Sequence, residues 1–194
     1  MRAMLVLASS SPRRLALLSQ AGLSPLVRPA DVDETVVPGE TALAYARRMA
    51  GLKARTTWEL LDLETRNASV VLAADTVVHR DDHIFDKPGS TAEAATTLAS
   101  LADSWHQVTT AFALLVPDKP EHIAEVTTRV RFRRLSAADI ERYVASGEAA
   151  DKAGAYGIQG LGGALVDQVE GSYTNVIGLP LPEVLQALAP WISG

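Results

Sequence analysis

Short apolar runs alternate with helical patterns along this chain. Residues 4–8 and 70–74 are continuous apolar runs of strand length, which is typical of strands covered on both faces of a sheet. The second of these strands is expected to end at Asp75, which follows it directly. Residues 125–132 alternate apolar with polar or charged side chains, so they predict a strand with one wet face, paired in a hairpin with the run 112–116.

Capping signals place the predicted helices between these strands. Ser11 precedes Pro12, a favoured first helical residue, and Gly22 ends that helix. Further helices are predicted after Thr41, reaching almost to Asn67, after Ser90 and Ser136, and over 182–188. Residues 81–89 are predicted to be a polar loop, and residues 148–178 are glycine-rich without a helical period. Strands that alternate with helices favour an α/β fold. The length suits a single domain spanning residues 1–194, or two small lobes that share a cleft.

Charge and composition narrow the function classes. The 194 residues include 18 Lys plus Arg and 23 Asp plus Glu, giving a net charge of −5. Such a chain lacks the broad positive field that drives binding to nucleic acid or to anionic membranes, and the basic residues 129–134 are interpreted as a solvated strand face. No cysteine is present, which excludes disulfides and thiolate chemistry. No apolar run reaches the roughly 20 residues of a membrane span, so we expect a cytoplasmic protein.

The first candidate site is the segment Ser-Ser-Ser-Pro-Arg-Arg over residues 9–14. Hydroxyl groups, including that of Ser9, and the free N–H groups of a helix start follow a strand end. Arg13 and Arg14 add two guanidinium groups that can bind phosphate oxygens in bidentate fashion. The alternative is an ordinary helix cap followed by two solvated arginines. Its position directly after a buried strand favours a site for a phosphate chain.

Two carboxylates form the second candidate. Asp75 follows five apolar residues, and a buried acid needs a cation, a metal or hydrogen-bond donors as its partner. Glu34 is a second oxygen ligand for a hard divalent cation such as Mg²⁺ or Mn²⁺. Alternatively, Asp75 caps a turn or pairs with an arginine, and Glu34 is a surface acid.

Lysines and a glycine-rich segment complete the candidate chemistry. Lys53, Lys87 and Lys152 are each able to bind a phosphate, although any of them taken alone is typical of a solvated surface. In residues 151–160 the glycines permit close backbone approach, and Gln159 offers both a donor and an acceptor for the edge of a base. No Walker A loop, Rossmann fingerprint, nucleophile elbow or histidine metal spacing is present.

Seven separated segments, taken together, resemble the Maf family of nucleotide pyrophosphatases. They occur in the family order, nearly end to end, at residues 7–14, 32–34, 74–78, 87–88, 107–110, 151–160 and 171–180. The resemblance implies a mixed α/β fold of the inosine-triphosphatase-like Maf/Ham1 type, with an elongated sheet flanked by helices and two lobes around a deep cleft. It also implies hydrolysis of a nucleoside triphosphate between the α and β phosphates with Mg²⁺ or Mn²⁺, and it is compatible with a homodimer.

The resemblance also implies roles for individual residues. Tyr-Gly-Ile-Gln-Gly at 156–160 looks like the branch that acts on dTTP and UTP. Asp75 would be the catalytic carboxylate and, with Glu34, would hold the metal. The implied phosphate-binding residues are Ser9, Arg13, Arg14, Lys53 and Lys87, and the implied base-selecting residues are Arg13, Thr76 and Gln159.

Two departures and two alternatives accompany this resemblance. Asp86 and Ala111 stand where the family often has glycine, which puts the geometry of the neighbouring loops in question. The alternatives are a pyrophosphatase for 7-methyl-GTP or another modified nucleotide, and a nucleotide-binding regulator of septum formation.

Overall fold

The computed structural model describes residues 3–81 and 83–192. These residues form a seven-stranded mixed sheet with helices on both faces. The strands are β1 (Met4–Leu7), β2 (Leu26–Val27), β3 (Ser69–Arg80), β4 (His83–Phe85), β5 (Trp105–Leu115), β6 (His122–Phe132) and β7 (Val166–Glu170). The helices are α1 (Pro12–Gln20), α2 (Ala42–Leu60), α3 (Leu63–Asn67), α4 (Thr91–Leu101), α5 (Ala137–Ala145), α6 (Tyr173–Ile177) and α7 (Leu181–Ile192). Two short 3-10 segments cover Ala153–Ala155 and Gly160–Leu165.

The sheet has the strand order β2-β1-β3-β5-β6-β7. β1 is parallel to β2 and β3, whereas β3, β5, β6 and β7 are antiparallel to their neighbours. β5 occupies one edge of β3. On the other edge, β1 pairs with β3 only as far as Leu72, and β4 pairs with it from Val78 onward. A gap therefore opens along residues 73–77 of β3.

Two apolar layers cover the two faces of the sheet. On one face, Leu17 and Leu18 of α1 and Val184 and Leu188 of α7 pack against even-numbered residues of β3 such as Leu72. On the other face, Ala46, Met49 and Ala50 of α2 pack against odd-numbered residues of β3 such as Val71 and Ala73. A third cluster beyond the gap joins α4 and α5 to β5 and β6. β3 is thus enclosed on both faces, as its apolar sequence predicted.

Several sequence-based boundaries were wrong. β3 does not end at Asp75 but continues to Arg80, because β5 pairs with residues 71–79 of β3 and β4 pairs with residues 78–80. The region 81–89 contains β4, and the region 148–178 contains β7 and α6. The helix after Thr41 ends at Leu60, where Asp62 caps the separate α3. No helix within residues 3–81 and 83–192 combines the length and the apolar character that crossing a bilayer requires.

Candidate functional site

A cleft of about 360 Å³ lies at the gap in the sheet between β1 and β4. The cleft is lined by the loop after β1, the segment around Glu34, α2 and the segment 151–159. The edge of β3 that has no partner strand at residues 73–77 also lines it. The nine site residues named from the sequence all line it: Ser9, Arg13, Arg14, Glu34, Lys53, Asp75, Thr76, Lys87 and Gln159. The fold therefore brings together side chains that are as far as 150 residues apart in sequence.

The period of β3 explains why neighbouring residues serve different walls. Successive side chains on a strand point to opposite faces. Asp75 shares the face of Val71 and Ala73 and therefore points toward α2, where it meets Lys53. Thr76 points to the other face, where it meets Arg14 at the start of α1.

Arg14 is fixed by hydrogen bonds from all three guanidinium nitrogens. Its Nε donates to the Gly178 carbonyl at 2.8 Å, one Nη donates to Ser9 Oγ at 3.1 Å, and the other donates to Thr76 Oγ1 at 3.1 Å. The Ser11 hydroxyl caps α1, and its own N–H donates to Ser9 Oγ at 3.2 Å. The loop after β1 is thereby held in place by hydrogen bonds within the protein.

Thr76 belongs to a polar network beneath this loop. Its hydroxyl lies 2.8 Å from Thr110 Oγ1 on β5, and Thr110 donates to the Asn175 carbonyl at 3.1 Å. Asn175, fully buried on α6, donates to the Val108 carbonyl at 2.9 Å. The Thr76 hydroxyl thus positions Arg14 in this structure, and its role in base choice stays a prediction.

Lys53 lies between the two candidate metal-binding carboxylates. Its Nζ is 2.6 Å from Asp75 Oδ1 and 2.6 Å from Glu34 Oε1. Burial raises the pKa of the Asp75 carboxyl, while the positive charges of Lys53 and Arg14 favour its ionised form. Partial burial also disfavours the charge on Glu34, but Lys53 and Lys87 hold the pKa of Glu34 below its usual range. Lys87 Nζ lies 3.5 Å from Glu34 Oε2.

The donor set fits a divalent cation that also binds a substrate. The Glu34 and Asp75 oxygens share one nitrogen neighbour, so they lie no more than twice 2.6 Å apart. Both are carboxylate oxygens, which are the ligands that Mg²⁺ and Mn²⁺ prefer. No group of three or more His, Asp or Glu side chains suited to a metal occurs in the described residues. Mg²⁺ held by one or two carboxylates takes its other ligands from water and substrate phosphates.

The opposite wall carries the base-reading candidates. Arg13 forms an ion pair with Asp151 at 3.3 Å, and Lys152 contacts the same carboxylate at 2.6 Å. Gln159 is exposed at the cleft. It follows Tyr156, whose hydroxyl lies 2.8 Å from the ring nitrogen Nε2 of the buried His106.

Neither departure from the family pattern reaches into the cleft. Asp86 is exposed and is not one of the cleft-lining residues. Ala111 is buried in β5, paired with Asp75 across the sheet, and its φ is not positive, so its Cβ creates no backbone strain.

Two tyrosines that were not predicted from the sequence hold parts of the site in place. Tyr45 donates its hydroxyl proton to the Glu34 carbonyl at 2.9 Å, and Tyr143 accepts from the Gly157 N–H at 3.1 Å. Both tyrosines are buried, and each lies at helical spacing among apolar residues. In the sequence they are therefore indistinguishable from ordinary core positions. The basic stretch is a solvated strand face, as predicted, on which Arg129, Arg131 and Arg133 pair with acidic side chains.

The chain is similar to known proteins in sequence and in fold. A family model described as Maf-like protein matches residues 4–191. A dTTP/UTP pyrophosphatase of Rhodopseudomonas palustris (strain ATCC BAA-98 / CGA009) is 49% identical over 189 residues, covering 96% of this chain and 91% of that protein. A dTTP/UTP pyrophosphatase of Rhizobium meliloti (strain 1021) is 44% identical over 186 residues, covering 95% and 90%. Among solved structures, a HAM1 protein from Coxiella burnetii covers 97% of this chain and 99% of its own, with a TM-score of 0.57 and 18% identity. That likeness confirms the expected mixed α/β fold.

Proposed function

The chain belongs to the Maf-like protein family, and we propose that it hydrolyses dTTP and UTP to the nucleoside monophosphate and pyrophosphate. The observation that carries this proposal is one cleft in which a buried carboxylate, Asp75, faces a set of cationic side chains. Binding alone gains nothing from a carboxylate directed at a polyphosphate, whereas hydrolysis needs a group that handles the attacking water.

Cationic side chains on two walls support binding of a triphosphate. Arg14 and Lys53 lie beside Asp75, and Lys87 lies next to Glu34 on the rim. Arg14 is held rigidly by Ser9, Thr76 and Gly178, so ordering it costs little when a phosphate binds. Together these charges offset the negative charge that would otherwise repel a nucleophile at the phosphate chain.

Asp75 is the residue proposed to act on water. Its carboxylate lies on a central strand that is paired on its other edge, so its position is fixed by the sheet. It would orient a water molecule for in-line attack or accept the proton of that water. Glu34 and Asp75 would hold a divalent cation, Mg²⁺ or Mn²⁺, which when bound supplies charge neutralisation at the phosphate oxygens.

Base selection is proposed for Arg13 and Gln159, with Thr76 as a third contributor. Uracil and thymine each present two carbonyl acceptors and one N–H donor, which guanidinium and amide groups complement. The thymine methyl group adds little apolar contact, so we expect little discrimination between dTTP and UTP. Nucleoside triphosphates are made and consumed in the cytoplasm, which supports a cytoplasmic location.

The test is pyrophosphate release from dTTP, UTP, CTP, GTP and 7-methyl-GTP with Mg²⁺ or Mn²⁺. Asp75→Asn should lower release from dTTP and UTP by at least about 100-fold. The matched control is Asp118→Asn in the β5–β6 turn, which is not a cleft residue and should keep full activity. Urea unfolding of both variants checks that the fold is retained.

Each other outcome changes the proposal in a defined way. Release from 7-methyl-GTP alone would keep the chemistry and overturn the pyrimidine specificity. Tight nucleotide binding without release from any substrate would favour a nucleotide-binding regulator. A folded Asp75→Asn protein with full activity would remove Asp75 from the mechanism.

A further inference from the structure

The Lys53 ammonium occupies a place where a cation between the two carboxylates is expected. It contacts one oxygen of Glu34 and one of Asp75 at the same distance, 2.6 Å. The side chains of Lys53 and Asp75 are only 13% and 10% exposed, so this ion pair is largely shielded from water. Lys53 is therefore more than a solvated lysine beside a cleft.

The surrounding packing keeps this contact in place. Lys53 lies on α2, next to the fully buried Ala54 and one turn after Met49 and Ala50, which pack on β3. Asp75 projects from β3 toward the same helix. On the other carboxylate, the hydroxyl of Tyr45, also on α2, fixes the Glu34 backbone. One helix thus sets the position of the lysine and of one of its two acids.

A divalent ion and this ammonium compete for the same oxygens. A divalent ion held by Glu34 and Asp75 would need the carboxylate oxygens that Lys53 Nζ contacts at 2.6 Å. The positive charges of such an ion and of the ammonium would repel each other strongly in this site. Both cannot stay.

We propose that Lys53 takes the place of the divalent cation between the two carboxylates. When the metal binds, the Lys53 ammonium leaves the carboxylates and contacts the triphosphate instead. This inference rests on the proposed function, because that function supplies the metal and the phosphate acceptor. Without nucleotide, a binding metal displaces the Lys53 ammonium and no new acceptor is available for that charge, so metal binding is weak. When a nucleotide is bound, its phosphate oxygens accept the ammonium. The metal and the nucleotide therefore strengthen each other's binding.

The test measures Mn²⁺ binding to nucleotide-free protein by electron paramagnetic resonance. Lys53→Met removes the competing charge and should bind Mn²⁺ at least about tenfold more tightly than the unaltered protein. The matched control is Lys87→Met. Its Nζ lies 3.5 Å from Glu34 and its side chain is 62% exposed, so its removal should change Mn²⁺ affinity by less than about threefold.

Equal or weaker Mn²⁺ binding by Lys53→Met would overturn the inference, because a lysine that only stabilises the carboxylates does not compete with metal. Lys53→Gln is the second variant should Lys53→Met unfold, since its amide still donates to one carboxylate while carrying no charge. It should tighten Mn²⁺ binding in the same direction.

Pyrophosphate release by the unaltered protein separates this inference from the proposed function. If the unaltered protein releases pyrophosphate from dTTP while both Lys53 variants bind Mn²⁺ as the unaltered protein does, the proposed competition between Lys53 and the metal is wrong and the proposed function stands. Tighter Mn²⁺ binding by the variants without release from any nucleotide would defeat the proposed reaction and leave the competition between lysine and metal standing.

Discussion

Acidification should destabilise this protein through one buried histidine. His106 on β5 is only 1% exposed, and its ring meets those of Phe132 and Tyr156 edge-on at 5.0 and 5.4 Å between centroids. Burial, helped by the nearby charges of Arg80 and His79, lowers the pKa of His106 to about 4. The folded protein therefore keeps His106 neutral at pH values where an unfolded chain protonates it.

The size of the effect follows from proton linkage. An unfolded histidine has a pKa of about 6.5, so between pH 6.5 and 4 the unfolded chain binds more protons and stability falls as pH falls. With a folded pKa of about 4, the loss from pH 7.5 to pH 5 is about 2 kcal/mol. It approaches about 3 kcal/mol below pH 4, where both states are protonated.

Urea unfolding at pH 7.5 and 5.0 measures this loss. Other groups also titrate in this range, so the informative quantity is the difference between variants. His106→Gln keeps a donor near Tyr156 but carries no titrating ring, and its stability should depend on pH by about 2 kcal/mol less than that of the unaltered protein. His122→Gln, at an exposed position on β6, should keep the full dependence.

An unchanged pH dependence in His106→Gln would show that protonation of this ring does not control stability at low pH. A second measurement needs no variant: ring resonances of His106 in the folded protein, followed by NMR, should show no proton uptake above about pH 5. Uptake near pH 6.5 would show that burial does not control the pKa of this ring.

Further predictions concern packing and specificity. Asn175→Ala removes two buried hydrogen bonds that tie α6 to β5 and β6 and should lower the free energy of unfolding by about 2 kcal/mol, measured with urea. Gly154→Ala should cost more than Gly22→Ala in the same assay: both have φ near +70 to +80°, but a Cβ at 154 would lie 2.7 Å from Val78 whereas position 22 is open. Gln159→Ala should reduce kcat/KM for dTTP about tenfold while hydrolysis of purine nucleotides stays low, measured by pyrophosphate release.

Local chemistry singled out some of the residues that line the cleft, whereas Glu34, Lys53 and Lys87, taken alone, were typical of a solvated surface. Ser11 before Pro12 predicted the start of α1, and an acid directly after an apolar run marked Asp75 as a buried charge. These signals depend on a few neighbouring residues, so they are readable in one sequence. The resemblance added Thr76 as a site residue, and the fold places it in the same cleft.

The position of the cleft was not predictable from local patterns. It depends on β1 ending at Leu7 while β3 continues to Arg80, and on β4 returning to pair with β3 only from Val78. Strand ends are set by hydrogen bonds to a partner strand, and those partners are distant in sequence. β7 was missed for the same reason, since only pairing with β6 makes a strand of a short, largely polar segment.

The same pairing gives the site its precision. β3 and β5 pair over nine consecutive residues with Asp75 at the centre of the register, opposite Ala111. A shift of one residue would turn Asp75 toward α1 and α7 and away from Lys53, leaving a carboxylate among apolar side chains and a lysine without its acid. The apolar residues of β3 would exchange faces at the same time. Sheet register and charge pairing therefore favour the same arrangement of strands. In a misaligned sheet the buried Asp75 carboxylate would lack Lys53, and this raises the free energy of the misaligned state.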